Sequence, residues 1–209
     1  MSVHELVPEG GWTCAETVRL PPPAPAQRGL LFRTVSQASR FFGRQNIPDV
    51  FSVFHINSRL FWAWLFFASR LMPGGRLPAR EREKIILRTA WNCRSRYEWG
   101  QHVEIALRVG VSDEDIIRVS RGPSAFEDAR TRAAMQACDD LFRQQMVSAE
   151  TWQQLSQFHD RTNLIEMMIL IGHYQMLAGF LNSSGIALEA QTESKVEDFH
   201  RRTGPSRPR

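Results

Sequence analysis

Within Leu77 to Gly110, LPAREREKIILRTAWNCRSRYEWGQHVEIALRVG, residues Ser95, Glu98 and His102 stand three and four apart. On a helix they share one stripe, with Val103, Ala106 and Leu107 packing close by. An imidazole exchanges protons near neutral pH, and a carboxylate beside it fixes its orientation and raises its basicity. A second carboxylate in the same pocket, taken out of water, has its pKa pushed up and can act as an acid. The chemistry open to these residues is general acid/base catalysis, with His102 as base or acid and Glu98 as the second proton-transfer group. Each also has a structural reading: His102 as a satisfied core histidine, Glu98 as its i to i+4 helical partner. Ser95 stands in no Ser–His–Asp order and beside no oxyanion loop, which leaves it a helix-start or substrate-contact role. His173, in GHYQMLAGFLN, needs a hydrogen-bond partner that is either structural or a substrate. A metal set of Glu83, Glu98, His102 and His173 has the spacing Glu-x-x-x-His where di-iron bundles use Glu-x-x-His, and the expectation is no metal.

Two helices that meet near Cys93–Arg96 must position this stripe. Pro78 suits a first helical turn, Glu81 and Glu83 suit the positive end of the helix dipole, and Ile85, Ile86, Leu87, Ala90 and Trp91 repeat on one face. Gly110 ends the second helix and Ser112 caps the next. Upstream, the Gly- and Pro-rich stretch 1–29 reads as an arm that Trp12 and Leu20 could anchor. Periodicity predicts a helix from Leu30 to Arg44, and Pro48 starts a short one. Asn57 caps an apolar helix that ends near Met72. Downstream, helices are expected from about Phe126 to Gln145, from Ser148, and from Asp160 to a stop at Gly185. The last is apolar almost all round, as befits a core or an oligomer interface. No β-rich run and no phosphate-binding glycine loop is present, so the chain reads as all-α.

Composition bounds the rest. Hydrophobic residues at 43% and charged ones at 23% exclude a disordered chain. Arg201, Arg202, Arg207 and Arg209 equal the whole net charge of +4, so the positive balance reads as a solvated basic tail and no nucleic-acid partner is expected. Cys14, Cys93 and Cys138 are an odd number without tight spacing, which fits a reducing cytoplasm better than a disulfide framework. The first residues, MSVHELVPEGG, lack the basic and apolar regions of a signal peptide. The run Leu60 to Ser69 is about half the roughly 20 apolar residues a bilayer span needs, so no membrane partner is expected.

From about Phe51 to Leu188 the chain resembles the carboxymuconolactone decarboxylase and alkylhydroperoxidase D-like superfamily. The redox branch of that family carries a Glu, eleven residues, CxxC, three residues and a His. Here the Glu is Glu83 and the His is His102, while the thiol positions hold Ser95 and Glu98. Cys93 lies two residues before the first of these, roughly 200° around an ideal helix, and does not replace it. The resemblance implies an all-α domain over 30–188, between an arm at 1–29 and a basic tail at 189–209, assembled as a homo-oligomer, a trimer or a multiple of trimers. Catalytic roles are expected for Glu83, Glu98 and His102, and substrate contacts for Ser95 and His173. The leading expectation is a cofactor-independent lyase or isomerase acting on a small organic acid, lactone or carbonyl compound. A thiol-dependent hydroperoxide reductase and a non-catalytic oligomeric binding protein are the alternatives.

Overall fold

The computed structural model describes residues 6–29, 32 and 47–203. The helix expected from Leu30 to Arg44 falls outside the described residues except at Phe32, which is buried against Phe61 and His55. Among the described residues the regular structure is helical: α1 (Asp49–Phe54), α2 (Ser58–Leu71), α3 (Ala79–Asn92), α4 (Arg96–Arg108), α5 (Asp113–Arg121), α6 (Ala129–Gln144), α7 (Ala149–Leu155), α8 (Arg161–Ser184) and α9 (Ala190–Thr203).

Helix ends follow local chemistry. The side chains of Asn57, Ser112, Asp128, Ser148 and Asp160 each accept from a backbone N–H three residues on, which satisfies one of the orphan donors of a first turn. Gly185 closes α8 in the left-handed region at φ 70°, a conformation that favours a residue without Cβ. A Cβ there would also meet Thr17 O at 2.6 Å, because the N-terminal arm crosses this corner.

Helix α3 is the centre of the fold, packed against α4, α5, α6 and α8. The periodicity predicts one buried face, but both faces are covered: Glu81, Arg82, Glu83 and Arg88 are buried along with Ile85, Ile86, Leu87 and Ala90. Burying those charges is tolerable only because each is paired. Arg88 grips Asp139 of α6 with two bonds of 2.7 and 2.8 Å, and Glu81 takes Arg130 at 2.7 Å. Helix α8 has the length and composition of a bilayer span. Its Leu164, Met167, Leu170, Ile171 and Ala178 are core residues of this domain.

Both flanking segments are docked on this body. Trp12 packs edge-on against Trp91 (ring centroids 5.6 Å) and tilted against Trp99 (5.9 Å), and Thr13 N donates to Arg94 O at 2.9 Å. The stretch expected as a solvated tail is different: residues 190–203 form α9, which lies on α4 with Val196 and Phe199 buried. Gly100 on α4 makes the approach possible, since a Cβ there would come within 2.3 Å of Leu188. Arg202 is drawn into an ion pair as well, with Asp113 at 2.6 and 2.7 Å.

Candidate active site

Helix α4 turns two adjacent rows, Tyr97–Gln101–Arg108 and Glu98–His102–Ile105, toward a cavity of about 410 Å³. Val50 and Phe51 of α1 form a second wall, Phe61, Trp64 and Ala68 of α2 a third, and His173, Tyr174 and Leu177 of α8 a fourth. The volume is that of a small-molecule site, and the walls are mostly apolar with few polar groups, as such sites are.

The deepest polar contact joins two helices. His102 Nδ1 on α4 lies 2.7 Å from Glu83 Oε2 on α3, and the Glu83 carboxylate is fully buried. Its other oxygen accepts from Arg82 Nε at 3.3 Å. Glu83 does not reach the cavity; it stands behind His102 and orients it. With Nδ1 engaged, Nε2 is left without a partner among the described residues, on a ring that lines the cavity.

Glu98 is one turn before His102 and lines the same cavity. Both of its carboxyl oxygens are buried without a hydrogen-bond partner. Burial alone pushes this carboxyl well above the usual carboxylate range, so the protonated form is favoured. A neutral carboxylic acid in a dry site is a hydrogen-bond donor.

His173 lines the opposite wall, stacked on Trp64 (centroids 6.0 Å, 19° between planes) and edge-on to Phe67. Burial lowers its pKa to about 4, and its Nδ1 has no partner. Tyr174 stands edge-on between the two histidines, 5.0 Å from His102 and 5.3 Å from His173. Burial first, then Glu83 and Glu98, raises its hydroxyl well above the usual range, so it stays a neutral donor to Met72 Sδ at 3.4 Å.

Ser95 does not join the group. It is the N-cap of α4, wholly buried, off the cavity wall, paired as a backbone bridge with Thr13, and its Oγ has no partner. The turn that swings Glu98 and His102 inward carries Ser95 out of reach, so the expected substrate contact at that residue is withdrawn. The thiols are elsewhere too. Cys14, Cys93 and Cys138 are free and none lines the cavity. Burial, then Glu98, pushes the Cys93 thiol up to about 12, far from a reactive thiolate. Among the described residues no group of three or more His, Cys, Asp or Glu side chains is arranged to hold a metal ion.

Glu189 belongs to the site as well, although no motif or spacing singles it out. Its carboxylate accepts from Tyr97 Oη at 2.6 Å, from the backbone N–H of Asp49 at 2.6 Å, and from Gln101 Nε2. Tyr97 Oη in turn accepts from Val50 N at 3.2 Å. One side chain from the C-terminal segment thus pins the α1 wall to the α4 wall and engages donors of both Tyr97 and Gln101. Tyr97 and Gln101 directly precede Glu98 and His102 in the sequence, but nothing local marks a carboxylate about 90 residues downstream as their partner.

Residues 58–140 match the carboxymuconolactone decarboxylase family. No curated protein matches the sequence. Solved structures share the fold at low identity. A peroxidase-related protein from Silicibacter sp. TM1040 superposes with a TM-score of 0.75 at 15% identity, covering 86% of this chain and 95% of its own. The alkylhydroperoxidase AhpD core of a peroxidase-related protein from Ralstonia eutropha JMP134 gives 0.74 at 17% identity, covering 85% and 96%. The debrominase Bmp8, as a variant in complex with 2,3,4-tribromopyrrole, gives 0.72 at 14% identity, covering 88% and 99%.

Proposed function

We propose that the chain is a cofactor-independent acid/base enzyme of lyase or isomerase type, related to the carboxymuconolactone decarboxylase family that its residues 58–140 match. One observation carries this reading: an imidazole oriented by a buried carboxylate at 2.7 Å shares a cavity with a second, unpartnered carboxyl group one helical turn away. Two proton-transfer groups in different environments are what acid/base chemistry at one pH requires.

In the simplest cycle His102 Nε2 removes a proton from a carbon beside a carbonyl, and Glu83 holds the resulting imidazolium in place. The C–H electron pair moves into the conjugated system, and charge gathers on the carbonyl oxygen. The Glu98 O–H donates a hydrogen bond to that oxygen and stabilises the enolate. His102 then returns the proton at the same or a neighbouring carbon, which gives exchange or isomerisation and restores both groups. Loss of CO2 from a substrate carboxylate beta to the carbonyl, in place of the first proton transfer, would leave the C–C electron pair in the same enolate, and a His102 that enters protonated would then supply the proton.

Two observations support this over thiol peroxide chemistry: Ser95 and Glu98 stand at the thiol positions, and no cysteine among the described residues lines the cavity. The test is deuterium incorporation from D2O into small ketones, followed by NMR. The wild type should catalyse it, and His102→Ala should lower the rate by about 10²–10⁴, the usual contribution of a general base. Glu83→Gln should lower it too, and the double variant should be little worse than His102→Ala, because the pair acts as one unit. Rates in both single variants within a few-fold of wild type would sink the assignment.

A further inference from the structure

The charge pattern of the cavity narrows what can enter it. Arg108 is the one Lys or Arg on the wall among the described residues, and it is exposed on the last turn of α4. Arg82 is turned to Glu83 and does not line the cavity. At depth, the imidazole of His102 is matched by the Glu83 carboxylate, so the pair offers little net positive charge to an anion. His173 is kept neutral by its burial. Trp64, Phe51 and Phe61 line the remaining depth, and aromatic faces carry negative potential that disfavours an anion lying on them. An anionic group carried to Glu98 would therefore lose its water and gain no cation among the described residues.

The same features favour one kind of neutral ligand. Glu98 offers a carboxyl group whose two oxygens are buried and unpartnered, facing a wall with His102 one turn on. Trp64 and His173 lie nearly parallel at 6.0 Å, Tyr174 stands edge-on to His173, and all three rings line the cavity. Glu189 engages donors of both Tyr97 and Gln101, so beyond Glu98 and the exposed Arg108 the polar groups left open on the described wall are the ring nitrogens of His102, His173 and Trp64.

We propose that the cavity takes a neutral, planar, conjugated ketone or enone, its carbonyl oxygen on the Glu98 carboxyl and its enolisable C–H beside His102, and that it rejects carboxylates from its depth. This rests on the proton-transfer reading and deepens it, choosing the carbonyl compounds over the organic acids.

Three probes of similar size separate the terms: acetophenone (neutral and planar), cyclohexyl methyl ketone (neutral, ring not planar) and benzoate (planar and anionic). Dissociation constants are measured on the full chain by tryptophan fluorescence and NMR at about pH 8, where benzoate is ionised. Acetophenone should bind at least about tenfold tighter than benzoate, with the saturated ketone between them. Glu98→Gln, which keeps a neutral donor, should hold acetophenone within a few-fold, whereas Glu98→Leu should weaken it by about tenfold. Benzoate binding as tightly as acetophenone, unchanged affinity in Glu98→Leu, or no binding of acetophenone at millimolar concentration would each overturn the proposal. Exchange of the acetophenone methyl protons in D2O is read in the same samples. The expected binding order without His102-dependent exchange would uphold the ligand class and sink the proton-transfer reading, so the two fail separately.

Discussion

The environment of Glu98 has a consequence for stability that needs no substrate. Its carboxyl is raised well above the usual range by burial and has no partner in the folded chain, whereas in the unfolded chain it titrates near about 4.3. Between those two values the unfolded state has released a proton that the folded state keeps. Stability therefore falls as pH rises through this window, by up to about 1.4 kcal/mol per pH unit, and the full cost is reached above the folded pKa. Glu98→Gln keeps the shape and removes the titration. Urea denaturation of wild type and Glu98→Gln at about pH 5, 6 and 7 should give a difference that grows in favour of the variant with each step up in pH. The difference curve is the right readout, because His173 contributes a slope of opposite sign below about pH 6.5 that is common to both proteins. In thermal melts the same effect is about 3–5 °C per pH unit for a domain of this size. A constant difference across that range would mean that Glu98 is ionised in the folded protein, and its role as a neutral donor would fall with it.

Three further outcomes are expected. His173, with its pKa lowered to about 4 by burial, contributes stability that is fully present above the unfolded value near 6.5 and lost as pH falls toward 4, up to about 3 kcal/mol; His173→Phe should flatten this limb of the denaturation profile, and an unchanged acid limb would refute it. Thiol-dependent peroxide consumption should be absent in wild type, and Cys93→Ser should keep whatever proton-exchange activity the wild type has; peroxide turnover that disappears in Cys93→Ser would reverse the non-redox assignment. We also expect self-association, because Leu60 and Phe66 on α2 and Ile165 and Met176 on α8 are about half exposed or more, apolar side chains that a contact between copies would cover; light scattering that reads a monomer at micromolar concentration would count against it.

What the sequence determined by itself was local. A side-chain oxygen at an N-cap bonds a backbone N–H three residues on, so Asn57, Ser112, Ser148 and Asp160 announce the starts of α2, α5, α7 and α8 without reference to the rest of the chain. The four-residue spacing of Glu98 and His102 places both on one face of α4 for the same reason, and both line the cavity. Motif spacing also placed Glu83 with His102, although only the packing of α3 on α4 brings their side chains to 2.7 Å. Tertiary structure alone decided the rest. It put Ser95 in a turn behind the wall, stripped Glu98 of partners, and covered both faces of α3, which periodicity had predicted to bury one. It also made a docked helix of residues that composition reads as a tail: Arg201 and Arg202 give 190–203 a solvated look, but Val196 and Phe199 find a surface because Gly100 lets Leu188 approach α4. Glu189 reaches Tyr97 and Gln101 across about 90 residues of sequence, and a carboxylate carries no local mark of such a partner, since its pairing depends on which helices pack together.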